Sequence, residues 1–160
     1  MARRTSACGR PQDALLAELE TVYRQVDAKF AGWSCPASTE CCRFGLTGVE
    51  PYVTSIEYLA IIEAIQRRGG ALHERRKARP LQGTGVREER TCALLDLDGR
   101  CSIYESRPLG CRTFFCSRAT EAMSVQHGEV IAWVRCVQEI AARHTAGGEL
   151  SHRLGKMMGV

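Results

Sequence analysis

The sequence predicts a mainly α-helical, small single domain in which amphipathic helices pack around a cysteine-rich loop region and a short β-hairpin. Three observations carry this reading. Apolar residues recur at helical spacing in three separate stretches. A Gly-, Pro- and Ser-rich stretch after the first of them holds three of the nine cysteines. Two short apolar runs then flank an Asp-Gly pair, the dipeptide favoured where both central residues of a tight turn need positive φ.

The first helix is expected from Asp13 to Phe30, because Leu15, Leu16, Leu19, Val22, Tyr23, Val26 and Phe30 fall on one face. Residues 1–11 before it read as a flexible tail, with Cys8 as a bystander. A loop is expected from about 32 to 53, carrying Cys35, Cys41 and Cys42. The second helix opens on Thr54-Ser55-Ile56-Glu57, which fits a capping box: hydroxyl and carboxylate each satisfy an orphan N–H. Tyr58, Leu59, Ile61, Ile62 and Ile65 supply its buried face, and Gly69-Gly70 end it.

Residues 71–90, ALHERRKARPLQGTGVREER, read as a short helix and an exposed basic loop. No aromatic residue is interleaved with the charge, so a solvated surface is favoured over a nucleic-acid patch. CALLDLDGRCSIY then makes the hairpin around Asp98-Gly99. With those two residues as the turn, Asp96 faces Cys101, and Cys92 lies four residues from Cys101 along the same face. At ~3.3 Å per residue that is roughly 13 Å, too far for one ion unless the first strand bends. The last helix, EVIAWVRCVQEIAARH, carries the stripe Val130, Ile131, Val134, Val137, Ile140 and Ala141 and is closed by Gly147-Gly148. Cys136 on it reads as a core residue.

At 160 residues, with 44% hydrophobic and 25% charged residues, the chain has globular proportions and enough length to bury a core without disulfides or metal. No run approaches the ~20 apolar residues of a membrane span. The basic N-terminus lacks the apolar region of a signal peptide, so a cytoplasmic protein is expected. In that reducing compartment an odd count of nine cysteines points to metal binding or redox chemistry rather than to disulfides. The formal charge of +4 counts every thiol as neutral, and thiolates holding divalent ions would bring it near neutrality, so it does not argue for nucleic acid.

Cys35, Cys41, Cys42, Cys92, Cys101, Cys111 and Cys116 all fall in expected loops or at hairpin edges, which makes them the candidate metal ligands. A structural zinc ion takes four ligands, and most iron–sulfur clusters are likewise held by four thiolates, so seven exceed one such site. Two ions sharing a bridging thiolate absorb the surplus, as does one four-thiolate site with redox or outer cysteines beside it. The spacings C-x5-CC and C-x8-C-x9-C-x4-C match neither zinc-ribbon knuckles nor short ferredoxin runs. In extended backbone Cys41 and Cys42 point opposite ways and meet one ion only through an irregular turn.

Arg107 and Arg112 are the candidate residues around the bound centre, offsetting thiolate charge and donating to sulfur, with Pro108 fixing the turn between them. Pairing of these arginines with Glu105 is the plainer alternative. His73, His127, His144 and His152 lack partner spacing and read as surface, His127 alone being kept as a candidate. No nucleophile triad, Gly-rich phosphate loop or catalytic residue is identified.

The residues Cys41-Cys42, then Cys101, Ile103-Tyr104-Glu105, Arg107-Pro108, Cys111-Arg112 and Cys116, form an early Cys-Cys followed by a C-x-IYE-x-RP-xx-CR-x-F-x-C block. This pairing resembles the YkgJ-like cysteine-cluster family, described as zinc- or iron-chelating or iron–sulfur proteins. Cys92 stands at the place of a further family cysteine. Members commonly show extra cysteines before the Cys-Cys pair, where this chain has only Cys35. The resemblance covers about residues 30–120 and implies metal or cluster binding in a small, mainly helical domain; it brings no reaction with it.

The expectation is therefore a metal-binding protein whose cysteine thiolates, within the region 32–120, hold zinc or an iron–sulfur centre. The alternatives are a redox or metal-assisted enzyme with an open metal position or reactive thiol, and a zinc-stabilised protein or RNA interaction module using residues 67–90. A metal ion is the implied partner and a protein partner is open. Nucleic acid and membrane are not indicated.

Overall fold

The computed structural model describes residues 10–33, 39–70, 91–96, 98–113, 121–145 and 151–154. Helix α1 spans Pro11–Lys29, and a 3-10 turn at Glu40–Cys42 leads into the short α2, Phe44–Thr47. Strand β1, Tyr52–Thr54, runs directly into α3, Ser55–Arg67. A second 3-10 turn, Tyr104–Ser106, precedes α4, Leu109–Thr113, and α5 spans His127–Thr145. Strand β2, Ser151–Arg153, pairs antiparallel with β1, Tyr52 opposite Arg153 and Thr54 opposite Ser151. The chain is thus mainly helical, as expected, with its long helices where apolar periodicity places them.

The apolar faces divide between two clusters. Leu19, Val22, Tyr23 and Val26 of α1 pack with Val137, Ile140 and Ala141 of α5, Ile56 of α3 and Leu109 of α4. Phe44, Val53, Ile61, Ala64, Ile65, Leu94, Ile103 and Leu154 form the second cluster together with Cys92. Helix α3 feeds both, Ile56 into the first and Ile61, Ala64 and Ile65 into the second. Each fully buried aliphatic side chain contributes about 1.5–3 kcal/mol. The second cluster is the floor on which most of the cysteine-bearing turns rest.

The capping box at the start of α3 forms as the residues predict. Thr54 N–H and Oγ1–H both donate to Glu57 Oε2 at 2.8 Å. Glu57 does more than cap: its other oxygen accepts from Leu109 N–H at 2.7 Å and from the Tyr23 hydroxyl at 3.1 Å. One carboxylate, 3% exposed, therefore joins α1, α3 and α4. Burial and the facing Glu57 charge push the Tyr23 hydroxyl well above its ordinary range. At the far end of α3, Gly69 and Gly70 take φ of +93° and +106°, and Gly70 N–H donates to Ile65 C=O at 3.0 Å, stopping the helix where expected.

Three local expectations change. The stretch from 32 to 53 is not loop throughout, because Phe44 is buried and closes the short α2 over the second cluster, and β1 finds a partner in the C-terminal β2. No local signal marks β2; Leu154 N–H donates to Pro51 C=O at 2.8 Å, and the Leu154 side chain, 2% exposed, supplies the reason for the pairing. The hairpin is reduced to one bridge, and its register moves by one residue: Leu95, not Asp96, faces Cys101. Asp96 N–H instead donates across the turn to Arg100 C=O at 2.8 Å, so the turn is wider than two residues.

Among the described residues no helix is long and apolar enough to cross a membrane. Cys8, Cys35, Cys116, His73, the basic stretch 71–90 and Gly147-Gly148 lie outside the described residues.

Candidate metal centre

The 3-10 turn Glu40–Cys42 turns two adjacent thiols to one side. Thr39 enters it with φ of +61°, a left-handed conformation rare for a β-branched residue, and Cys42 N–H donates to Thr39 C=O at 2.9 Å. Cys41 Sγ and Cys42 Sγ consequently lie 3.9 Å apart. This is the irregular turn that the pair needs to meet a single ion. Gly99, at φ +78°, lies against Thr39: a Cβ there would meet Thr39 Cγ2 at 3.4 Å.

The first arm of the hairpin bends, which resolves the distance between Cys92 and Cys101. Leu95 N–H donates to Cys92 C=O at 3.1 Å, folding 92–95 into a turn, and Cys92 N–H donates to Cys42 C=O at 2.7 Å. A bridge between Arg43 and Thr91 holds the same junction. Cys101 sits opposite Leu95, and Cys111 lies on α4, where Cys111 N–H donates to Pro108 C=O at 2.9 Å.

Cys41, Cys42, Cys92, Cys101 and Cys111 thus all line one cavity of about 490 Å³, closed by Phe44, Leu94, Ile103 and Leu154 on its apolar side. Their electrostatics show that they share it. The hydrogen bond with Cys41, burial and the neighbouring Cys41, Cys92 and Cys101 all push the Cys42 thiol far up. Burial, then Cys92 and Cys101, push Cys111 well up. Burial also raises Cys101, against the opposing pull of Ile103 N–H, Arg107 and Arg68. Packed this way, Cys42, Cys101 and Cys111 favour their protonated forms in the absence of a neighbouring cation.

The donor set fits a soft metal. Two thiolates on a tetrahedral zinc at about 2.3 Å stand roughly 3.8 Å apart, close to the 3.9 Å of Cys41 and Cys42. Among the described residues no three His, Cys, Asp or Glu side chains are gathered closely enough to hold one ion; the thiols share a cavity rather than a closed tetrahedron.

The two arginines part company. Arg107 lines the thiol cavity, its guanidinium 3.6 Å above the Tyr104 ring and its Nε–H donated to Tyr104 C=O at 3.0 Å. Arg112 points away from the thiol cavity. Its side chain is 3% exposed, Nε–H donates to Arg107 C=O at 2.7 Å, and the remaining donors go to Glu105 C=O and the Asp27 carboxylate. Stacked 4.2 Å from the Tyr23 ring, it pins the 104–108 backbone to α1. Neither arginine pairs with the Glu105 side chain among the described residues.

Cys136 is exposed on α5 and is not a core residue, since the buried stripe of that helix is carried by Val137, Ile140 and Ala141. His127 is exposed at the start of α5 and does not line the cavity, and His144 is half-buried with Nδ1 3.0 Å from Ser55 Oγ. The residues that sequence reasoning missed are Asp27 and Trp33, which approach the site from the end of α1, and Glu57 in its wider role. Only the acid at N3 of the capping box left a local signal; the contacts of Asp27 and Glu57 across the fold left none.

No curated protein and no solved structure matches the chain at a significant level. The family model CxxCxxCC, described as "Putative zinc- or iron-chelating domain", matches residues 34–131, well over half of the chain. The C-x2-C-x2-C-C pattern of that name, laid on the sequence, falls on Cys35, Ser38, Cys41 and Cys42, so serine stands at its second cysteine. With the early Cys-Cys pair and the later cysteine block both inside the matched span, the chain belongs to this YkgJ-like cysteine-cluster family.

Proposed function

We propose that the protein holds zinc or iron on cysteine thiolates, with Cys41, Cys42, Cys92, Cys101 and Cys111 as described ligands and Cys35 and Cys116 completing the set. The observation that carries this reading is the convergence of five thiols, from three separated stretches of chain, on one cavity. Cys41 and Cys42 would serve the same ion, given their separation. Loading releases the thiol protons, and the charges that oppose one another in the cavity then face a cation. Arg107 favours the thiolate forms of Cys101 and Cys111, while Arg112 acts by holding the backbone that presents Cys111. A reducing, cytoplasmic setting keeps the thiols free, and residues 32–120 form the metal-binding region of a single domain.

An iron–sulfur centre is the second reading. Five described thiols exceed the four that one tetrahedral ion takes, and a 490 Å³ cavity has room for more than a single ion. Nothing among the described residues favours a catalytic role, and most of the basic stretch of an interaction module lies outside them.

Anaerobic purification followed by elemental analysis and an absorption spectrum tests both readings. Colourless protein with zinc supports a zinc site; iron with sulfide and broad visible absorption supports the cluster. Protein that carries and takes up neither metal overturns the proposal.

A further inference from the structure

A second cavity, of about 240 Å³, lies beside the thiol cavity between the end of α1 and the 104–107 turn. The two share one wall: Trp33, Cys41, Tyr104, Glu105, Arg107 and Cys111 line both. The smaller cavity is the more polar in its residues, adding Asp27 and Arg112. Among the described residues Glu105 is the only carboxylate on the shared wall, and it is exposed. The neighbouring cations are occupied elsewhere, Arg107 with the Tyr104 ring and carbonyl and Arg112 with Asp27 and two carbonyls. Among the described residues the Glu105 carboxylate therefore has no hydrogen-bonding or ionic partner, although its backbone carbonyl is anchored by Arg112.

Resting on the metal-binding reading above, we propose that Glu105 is the port by which a divalent cation reaches the thiol cavity. The hydrated ion is first held by the carboxylate in the polar vestibule and then passes to Cys41 and Cys111 on the same wall. The charge balance requires such a group. Arg107 faces both cavities, so a dication approaching the thiols meets a guanidinium, and Glu105 cancels that repulsion at the mouth. The coordination chemistry is suited to hand-over: a carboxylate oxygen binds zinc and ferrous iron, but thiolates displace it where several converge. Glu105 is thus a positioning residue for loading and not a ligand of the loaded site.

The test is the rate of cobalt(II) uptake by the reduced, metal-stripped full chain, followed through the thiolate-to-cobalt absorption in a stopped-flow instrument. Glu105→Gln is expected to slow uptake about fivefold to tenfold at low ionic strength, with the gap closing as salt is raised. Its final cobalt content and equilibrium affinity should match the wild type, and Glu105→Asp should restore the fast rate. Equal rates for wild type and Glu105→Gln, or a slowing that persists in high salt, overturn the port. A lower cobalt content in Glu105→Gln also overturns it, by making Glu105 a ligand. Wild-type chain that takes up no cobalt strikes the metal-binding reading itself, a result distinct from any difference between variants.

Discussion

Cys101 and Cys111 reach the cavity from opposite ends of an eleven-residue stretch, and burial raises the pKa of each. Replacing either with serine removes a thiolate but leaves a group of similar size. Cys101→Ser and Cys111→Ser are each expected to lower metal content measured by elemental analysis, while Cys136→Ser, exposed on α5, should leave it unchanged. Equal metal content in all three would show that the ligands lie elsewhere. Glu57 is the other decisive residue. Glu57→Gln keeps the shape but turns an amide N–H₂ toward backbone N–H donors, so a loss of about 2 kcal/mol is expected from urea unfolding. At this scale the cysteines were legible because their clustering beside Gly, Pro and Arg has no packing explanation. The partners of Glu57 and Arg112 were not, since they are separated by 52 and 85 residues from Leu109 and Asp27.

Between residues and fold stand two turns. The Glu40–Cys42 turn aligns adjacent thiols, and the bend at 92–95 brings Cys92 back to them through its hydrogen bond to Cys42. The first of them leans through Thr39 on the loop at Gly99, whose positive φ admits no ordinary side chain without strain. Gly99→Ala is expected to cost about 1–2 kcal/mol in thermal or urea unfolding. The block from Tyr104 to Thr113 is held differently, by the buried Arg112 guanidinium on its first turn and by the Glu57 carboxylate at Leu109. Arg112→Met removes three charge-assisted donors and the Tyr23 stacking, and should destabilise the protein by about 2–3 kcal/mol. The long helices were legible element by element, since the apolar stripe and caps are local properties. The short strands were not: each has three residues, and β2 exists only because β1 and the second apolar cluster receive it.

For the molecule as a whole, the thiol cavity couples stability to pH in opposite senses with and without metal. In the stripped protein, the hydrogen bond with Cys41 and burial hold the Cys42 thiol above its unfolded value, and burial does the same for Cys101 and Cys111. Their contribution is complete below an ordinary thiol pKa of about 8.5 and is lost as pH rises beyond it, because the unfolded chain then releases protons that the native state retains. Loaded protein behaves inversely. Its thiolates are already deprotonated, so below about pH 8.5 the unfolded chain binds the extra protons and stability grows as pH rises. Thermal unfolding should therefore give stripped protein a stability that is flat up to about pH 8.5 and falls above it, and loaded protein a stability that rises up to that pH. Parallel slopes would mean that the cavity thiols do not bind the ion.

The sequence by itself determined that the protein is mainly helical and that a metal-chelating chemistry suits its thiols, although Cys111, expected in a loop, lies on α4. These follow from periodicity, capping and composition, which are written along the chain. Tertiary structure alone decided that thiols from three stretches share one cavity and that Arg107 faces it while Arg112 turns away. The same is true of Glu105, which has no side-chain partner among the described residues. Those outcomes rest on packing of the second apolar cluster and on hydrogen bonds between distant backbones, whose energies depend on proximity in space rather than on spacing along the chain.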